Sequence, residues 1–158
     1  MAISNLAYVG LGVSDVPGWT AFAKDILGFA TAGTNRGGEE TLRFDAKPWR
    51  LALSHSSDND VSYMGFEAAD AAAVALLSDR FGSEGIATRP MSPAEADGRN
   101  VAGGIVFSDP DGLTVEVVHG FTDCSTAFHS PVGAEFVTGN RGLGHIVVSE
   151  TEIERSLK

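Results

Sequence analysis

Cysteine is nearly missing from this sequence. Cys124 stands alone, so no disulfide can form within the chain. No apolar run approaches the roughly eighteen residues that a membrane-spanning helix needs. Basic residues are scarce: 11 Lys and Arg face 21 Asp and Glu, giving a formal charge of -10 and an isoelectric point near 4.6. Such a surface repels phosphate backbones and anionic membranes, which argues against a nucleic acid or a membrane as partner. The first residues, MAISNLAYVG, have neither the basic start nor the apolar core of a secretory signal. A cytoplasmic protein is the expectation. There are only four histidines, and the spacing of His55, His119 and His129 matches no metal motif.

What the chain does have is 19 glycines within a 43% apolar composition, as suits a globular protein rich in turns. Leu6–Asp15, LAYVGLGVSD, alternates like a strand, with Ala7, Val9, Leu11 and Val13 on one face and Leu6, Tyr8, Gly10 and Gly12 on the other. The period then changes. Trp19, Phe22, Ala23, Ile26 and Leu27 form an apolar stripe at helical spacing, capped by Ser14 or Asp15 and ended by Gly28. Three short strand candidates follow: FATAGT, ETLRFDA after the turn-forming NRGG, and WRLALSH.

The same order then recurs. VSYMGFEAAD (Val61–Asp70) aligns with LAYVGLGVSD without a gap, pairing Tyr8 with Tyr63, Gly10 with Gly65 and Asp15 with Asp70. A second helix carries Ala73, Leu76, Leu77 and Phe81, and the strand candidates IATRP, NVAGGIVFS and LTVEVVH complete the unit. A repeat of this length signals paired supersecondary units, here βαβββ twice over. The expected fold is α+β: two tandem modules, residues 1–57 and 58–120, building one curved mixed sheet with helices outside. Residues 121–141 read as a linker. LGHIVVSETE (Leu143–Glu152) then starts the pattern a third time, with His145 in the place of Tyr8 and Tyr63. Residues 142–158 are therefore expected to be the truncated start of a further domain, since one strand and half a helix cannot bury their own apolar face.

Two such modules resemble the vicinal oxygen chelate superfamily. The stretches LAYVGLGVSDVPGWTAF, LGFATAGT, RFDAKPWRLAL, MGFEAADAA, FSDPDGLTVEVVHG and FVTGNRGLGHIVV are similar to the type I extradiol dioxygenases that cleave dihydroxybiphenyl and related catechols. The resemblance implies four modules in two domains, a catechol-type substrate and O2, homo-oligomeric assembly, and Fe(II) bound only by the second domain. There, two histidines on first strands and a glutamate on a last strand hold the metal and leave positions open for catecholate and dioxygen. Carried over position by position, His145 is one of the three metal ligands and the other two are absent. Manganese accepts the same ligand set. In the first two modules the matching positions are Tyr8, Tyr63 and Glu116. Two phenols in place of two imidazoles make this a vestigial site, with no metal or cofactor expected in this chain and no catalytic residue of its own.

The remaining residues read plainly. His55 and His119 fall at strand ends, His129 lies in the linker, and Trp49 is an aromatic anchor at a strand start. GLGVSD lacks the later glycines of a dinucleotide loop. Two other functions compete. A metal-free small-molecule binding protein of the bleomycin-resistance type would use Tyr8, Tyr63 and Glu116 to line its pocket, but the third start of the repeat argues against it. A glyoxalase-type lyase or isomerase needs histidine or glutamate at positions 8 and 63.

Overall fold

In this computed structural model, residues 3–137, 139, 142–149, 151 and 153–157 are described. Strand β1 (Ile3–Val13) leads into helix α1 (Val16–Asp25), where the Asp15 carboxylate accepts the Gly18 N–H at 3.0 Å and Pro17 fits the first turn, which needs no amide donor. Strands β2 (Ala30–Thr34), β3 (Glu40–Arg43) and β4 (Leu51–His55) complete the first unit. The second runs β5 (Asp60–Ala68), α2 (Ala71–Ser83), β6 (Arg89–Pro90), α3 (Pro93–Arg99), β7 (Gly103–Ser108) and β8 (Thr114–His119). A short helix α4 (Ile153–Ser156) follows near the end. The Asp70 carboxylate caps α2 as Asp15 caps α1, so the repeated aspartate does the same local work twice.

All eight strands join one sheet in the order β2-β3-β4-β1-β5-β8-β7-β6. Each half places its last strand parallel to its first, β4 beside β1 and β8 beside β5. The halves meet along an antiparallel seam between β1 and β5, where Tyr8 pairs with Gly65 and Gly10 with Tyr63. The repeat seen in sequence is thus an exchange across a pseudo-twofold axis. Each glycine makes room for the opposite ring: a Cβ on Gly65 would lie 2.3 Å from Tyr8, and one on Gly10 would lie 2.2 Å from Tyr63.

One apolar set, Val13, Ala23, Leu42 and Leu53, lies under α1, and another, Ala68, Val74, Leu77, Ile105 and Val117, lies under α2. Leu6, Val9, Met64 and Val115 connect them through Leu11, Leu51 and Phe107. The main buried cluster holds Tyr8, Trp49, Tyr63 and Phe121. Register irregularities in β1 between Leu6 and Tyr8 break the strict alternation, so Leu6 packs with Val9 and Ala7 with Tyr8.

The helix faces differ from the expected ones. Of the predicted α1 stripe only Ala23 is buried, while Trp19, Phe22, Ile26 and Leu27 are exposed. The helix rests on the sheet through the smaller Val16 and Ala23, which allow a close approach and turn the large side chains outward. In α2, Val74 takes the inward place expected of Leu76, which is exposed. Helix α3 was not anticipated. Ser92 and Glu95 cap each other's backbone at its start, Pro93 opens it, and Asn100 ends it in the left-handed conformation.

The third start is not a strand. Leu143 forms a single bridge to Leu6, while Leu143, Ile146 and Val148 cover the Leu6–Val9–Met64–Val115 cluster. Residues 121–137 have no regular structure but are tied along the first module. The Cys124 N–H donates to Ala46 O (2.7 Å), Arg43 donates to Thr126 O (3.1 Å), and Phe136 packs on Phe29 and Phe44. Beyond them, Gly142 lies on the guanidinium of Arg50, which is buried against Asp45 at 2.7 Å.

Candidate functional site

The central residues of the seam strands carry the site. Glu116 sits opposite Gly65 on β8, and Gly65 also pairs with Tyr8 across the seam. The Tyr8 hydroxyl donates to Glu116 Oε2 at 2.6 Å, and Glu116 is 3% exposed. Tyr63 donates instead to Glu39 Oε2 at 2.9 Å, from the turn between β2 and β3. Arg99, the last residue of α3, joins the two pairs. Its Nε reaches Glu116 Oε2 (3.1 Å), Nη2 reaches Glu116 Oε1 (3.2 Å), and Nη1 reaches Glu39 Oε2 (3.1 Å). The guanidinium carbon lies 3.7 Å from the centre of the Tyr63 ring. Trp49 stacks on Tyr8 at 4.5 Å and donates its indole N–H to the Arg99 carbonyl at 3.2 Å.

Electrostatics follow from burial. Desolvation first, then the Glu116 carboxylate, pushes the Tyr8 phenol well above its ordinary range. Burial raises Tyr63 as well, with Glu39 adding and Arg99 opposing. Both phenols stay protonated as donors. Burial alone would weaken the charge on Arg99, but Tyr63, Glu116 and Glu39 outweigh it and hold the guanidinium charged. Beside this network lies a polar cavity of ≈ 440 Å³ between the β2–β3 hairpin and α3, lined by Trp49, Thr41, Asn35 and Asn100 and bridged at its rim by the Arg36–Asp97 ion pair.

The donor set does not fit a ferrous ion. Both oxygens of Glu116 are taken, and the neighbouring phenols remain protonated. Among the described residues no group of three or more His, Cys, Asp or Glu converges in a way that could hold a metal.

Residues 6–55 match the family model described as "Dihydroxybiphenyl dioxygenase BphC D1". Over 99% of its length the chain is 37% identical to the biphenyl-2,3-diol 1,2-dioxygenase of Paraburkholderia xenovorans, covering 53% of that protein. It is 33% identical to the iron-dependent extradiol dioxygenase of Rhodococcus jostii, again covering 53%. Its fold superposes on a crystal structure of catechol 2,3-dioxygenase with a TM-score of 0.88 at 30% identity, over 99% of this chain and 56% of that one. The chain is a homologue of the extradiol dioxygenases. It spans about half the length of the curated relatives it matches.

In this extradiol dioxygenase homologue, Tyr8, Tyr63 and Glu116 come together around one guanidinium. His145 lies elsewhere, exposed beside Leu143 and Ile146 near the start of β1. His55 and His129 are exposed and His119 is half-buried. Sequence reasoning missed Arg99 and Glu39. Two signals could have found Arg99. SPAE is a capping-box motif that starts a helix ending at Arg99, and a glutamate between valines in LTVEVVH demands a buried cation. Glu39 carries no comparable mark, because only the folded hairpin brings it to Tyr63.

Proposed function

We propose that this chain is the non-catalytic half of an Fe(II)-dependent extradiol ring-cleavage dioxygenase acting on catechol-type aromatics with O2. The observation that carries this reading is a full-length match to about half of such enzymes, in a chain whose Glu116 carboxylate is bound by Arg99 through both oxygens. His145 is then one ligand of the iron, which in the intact enzyme supplies the positions for catecholate and dioxygen; manganese would accept the same ligands. The part played by this half is structural. It carries residues 142–149 against the sheet through Leu143, Ile146 and Val148, and on this reading the chain passes from there, with His145, into the second half. Homo-oligomeric assembly and a cytoplasmic location belong to the same reading.

The test is direct. Supplied with ferrous iron, air and 2,3-dihydroxybiphenyl or catechol, the 158-residue chain gives no ring-cleavage product above an iron-only blank. Turnover above that blank would move the active site into this half. The coding sequence past Lys158 tests the ligand assignment: the reading requires a fourth module with a histidine on its first strand and a glutamate on its last.

A further inference from the structure

We infer that the Arg99 guanidinium is the resident cation of the first cleft, standing among the positions the fold gives to metal ligands and closing that cleft to divalent ions. The contacts are those of a coordinated cation. Three guanidinium nitrogens reach three oxygens of two carboxylates at 3.1–3.2 Å, and each carboxylate also takes one phenol hydroxyl. A carboxylate as buried as Glu116 is expensive to hold without an opposite charge, and Arg99 supplies that charge from within the chain. The guanidinium carbon lies over the Tyr63 ring, and the Trp49 indole N–H holds the Arg99 backbone carbonyl. Taken without Arg99, the donors are two carboxylates and two phenols, an all-oxygen set that suits a hard cation rather than ferrous iron. The consequence rests on the proposed reading of an intact protein with a second, homologous cleft: a metal offered to that protein finds the first one already filled.

Thermal unfolding in EDTA, in calcium and in ethylguanidinium tests this. Calcium is chosen because it ignores imidazole, so His145 cannot contribute. The native chain shows no shift with millimolar calcium. Arg99→Ala unfolds roughly 10 °C lower in EDTA, because it strands two facing carboxylates. Millimolar calcium or ethylguanidinium recovers much of that loss, and recovers none of it in Arg99→Ala/Glu116→Gln. Arg99→Lys keeps most of the native stability. An unchanged Arg99→Ala, a variant that neither cation raises, or an equal gain in the Glu116→Gln background overturns the inference. Should Arg99→Ala fail to fold, Arg99→Lys decides: a folded lysine variant supports a requirement for charge, and an unfolded one overturns it.

Discussion

Two tyrosines are all this chain contains, and the fold spends both as buried donors to carboxylates. Their folded pKa values lie above the ordinary value near 10. The sign follows: the stability they contribute is fully present below about pH 10 and is lost as pH rises, since the unfolded chain ionises first. Above that point each tyrosine costs about 1.4 kcal/mol per pH unit. Phenolate absorbance should therefore stay absent in the folded chain past pH 10 and then appear for both residues together, in step with loss of far-ultraviolet ellipticity. A separate phenolate step before unfolding would contradict the buried network. The family resemblance pointed to Glu116, and the sequence repeat paired Tyr8 with Tyr63, which the antiparallel seam sets opposite Gly65 and Gly10. Neither could locate Glu39, whose partner depends on how a hairpin folds over the sheet.

Elements were legible where period and caps agreed. The repeated aspartates marked the starts of α1 and α2, and the βαβββ succession showed in both units, though without α3. The inward faces were harder. Trp19, Phe22 and Ile26 are apolar, yet α1 packs through Val16 and Ala23, and hydropathy alone does not report how closely a helix approaches. Two predictions belong at this scale. Gly65→Ala drives a methyl into the Tyr8 ring at the seam and should cost about 1–3 kcal/mol in denaturant unfolding, against almost nothing for Gly82→Ala, which meets open space. The second concerns α3. Bonds from Arg89 and Ser92 lower Glu95 from about 4.5 to about 2. Its contribution is present above about pH 4.5 and lost as pH falls toward 2. The pair is largely exposed, so water screens it to under about 1 kcal/mol. Glu95→Gln should be less stable than the native chain at neutral pH by that amount, and equal to it near pH 2.

At the scale of the molecule, the two-module sheet was readable because a module cannot bury its own faces alone. Less readable was the path after β8. Residues 121–137 lack period and so look like a loose connection, yet Phe121 is fully buried and Phe136 closes an aromatic group with Phe29 and Phe44. The Asp45–Arg50 pair sits beneath Gly142, so the route to residues 143–148 passes over a buried charge pair. A strand was expected there; one bridge to Leu6 is what forms.

The seam between β1 and β5 has a consequence for how copies of this chain meet. Sheet order divides cleanly there, with the first unit wholly on one side and the second wholly on the other. Only Ser56 to Asn59 connect them, through a left-handed Asn59 whose side chain accepts the Ser14 N–H at 2.8 Å. A second unit from another molecule would find the same pairing partners and the same glycine hollow, and would bring its own Arg99 guanidinium to Glu39. Removing two residues from that short connection should forbid the intramolecular closure and leave reciprocal exchange as the way to complete the sheet. The product would be a dimer by light scattering with native ellipticity, in which each cleft takes Tyr8 from one molecule and Glu116 from the other.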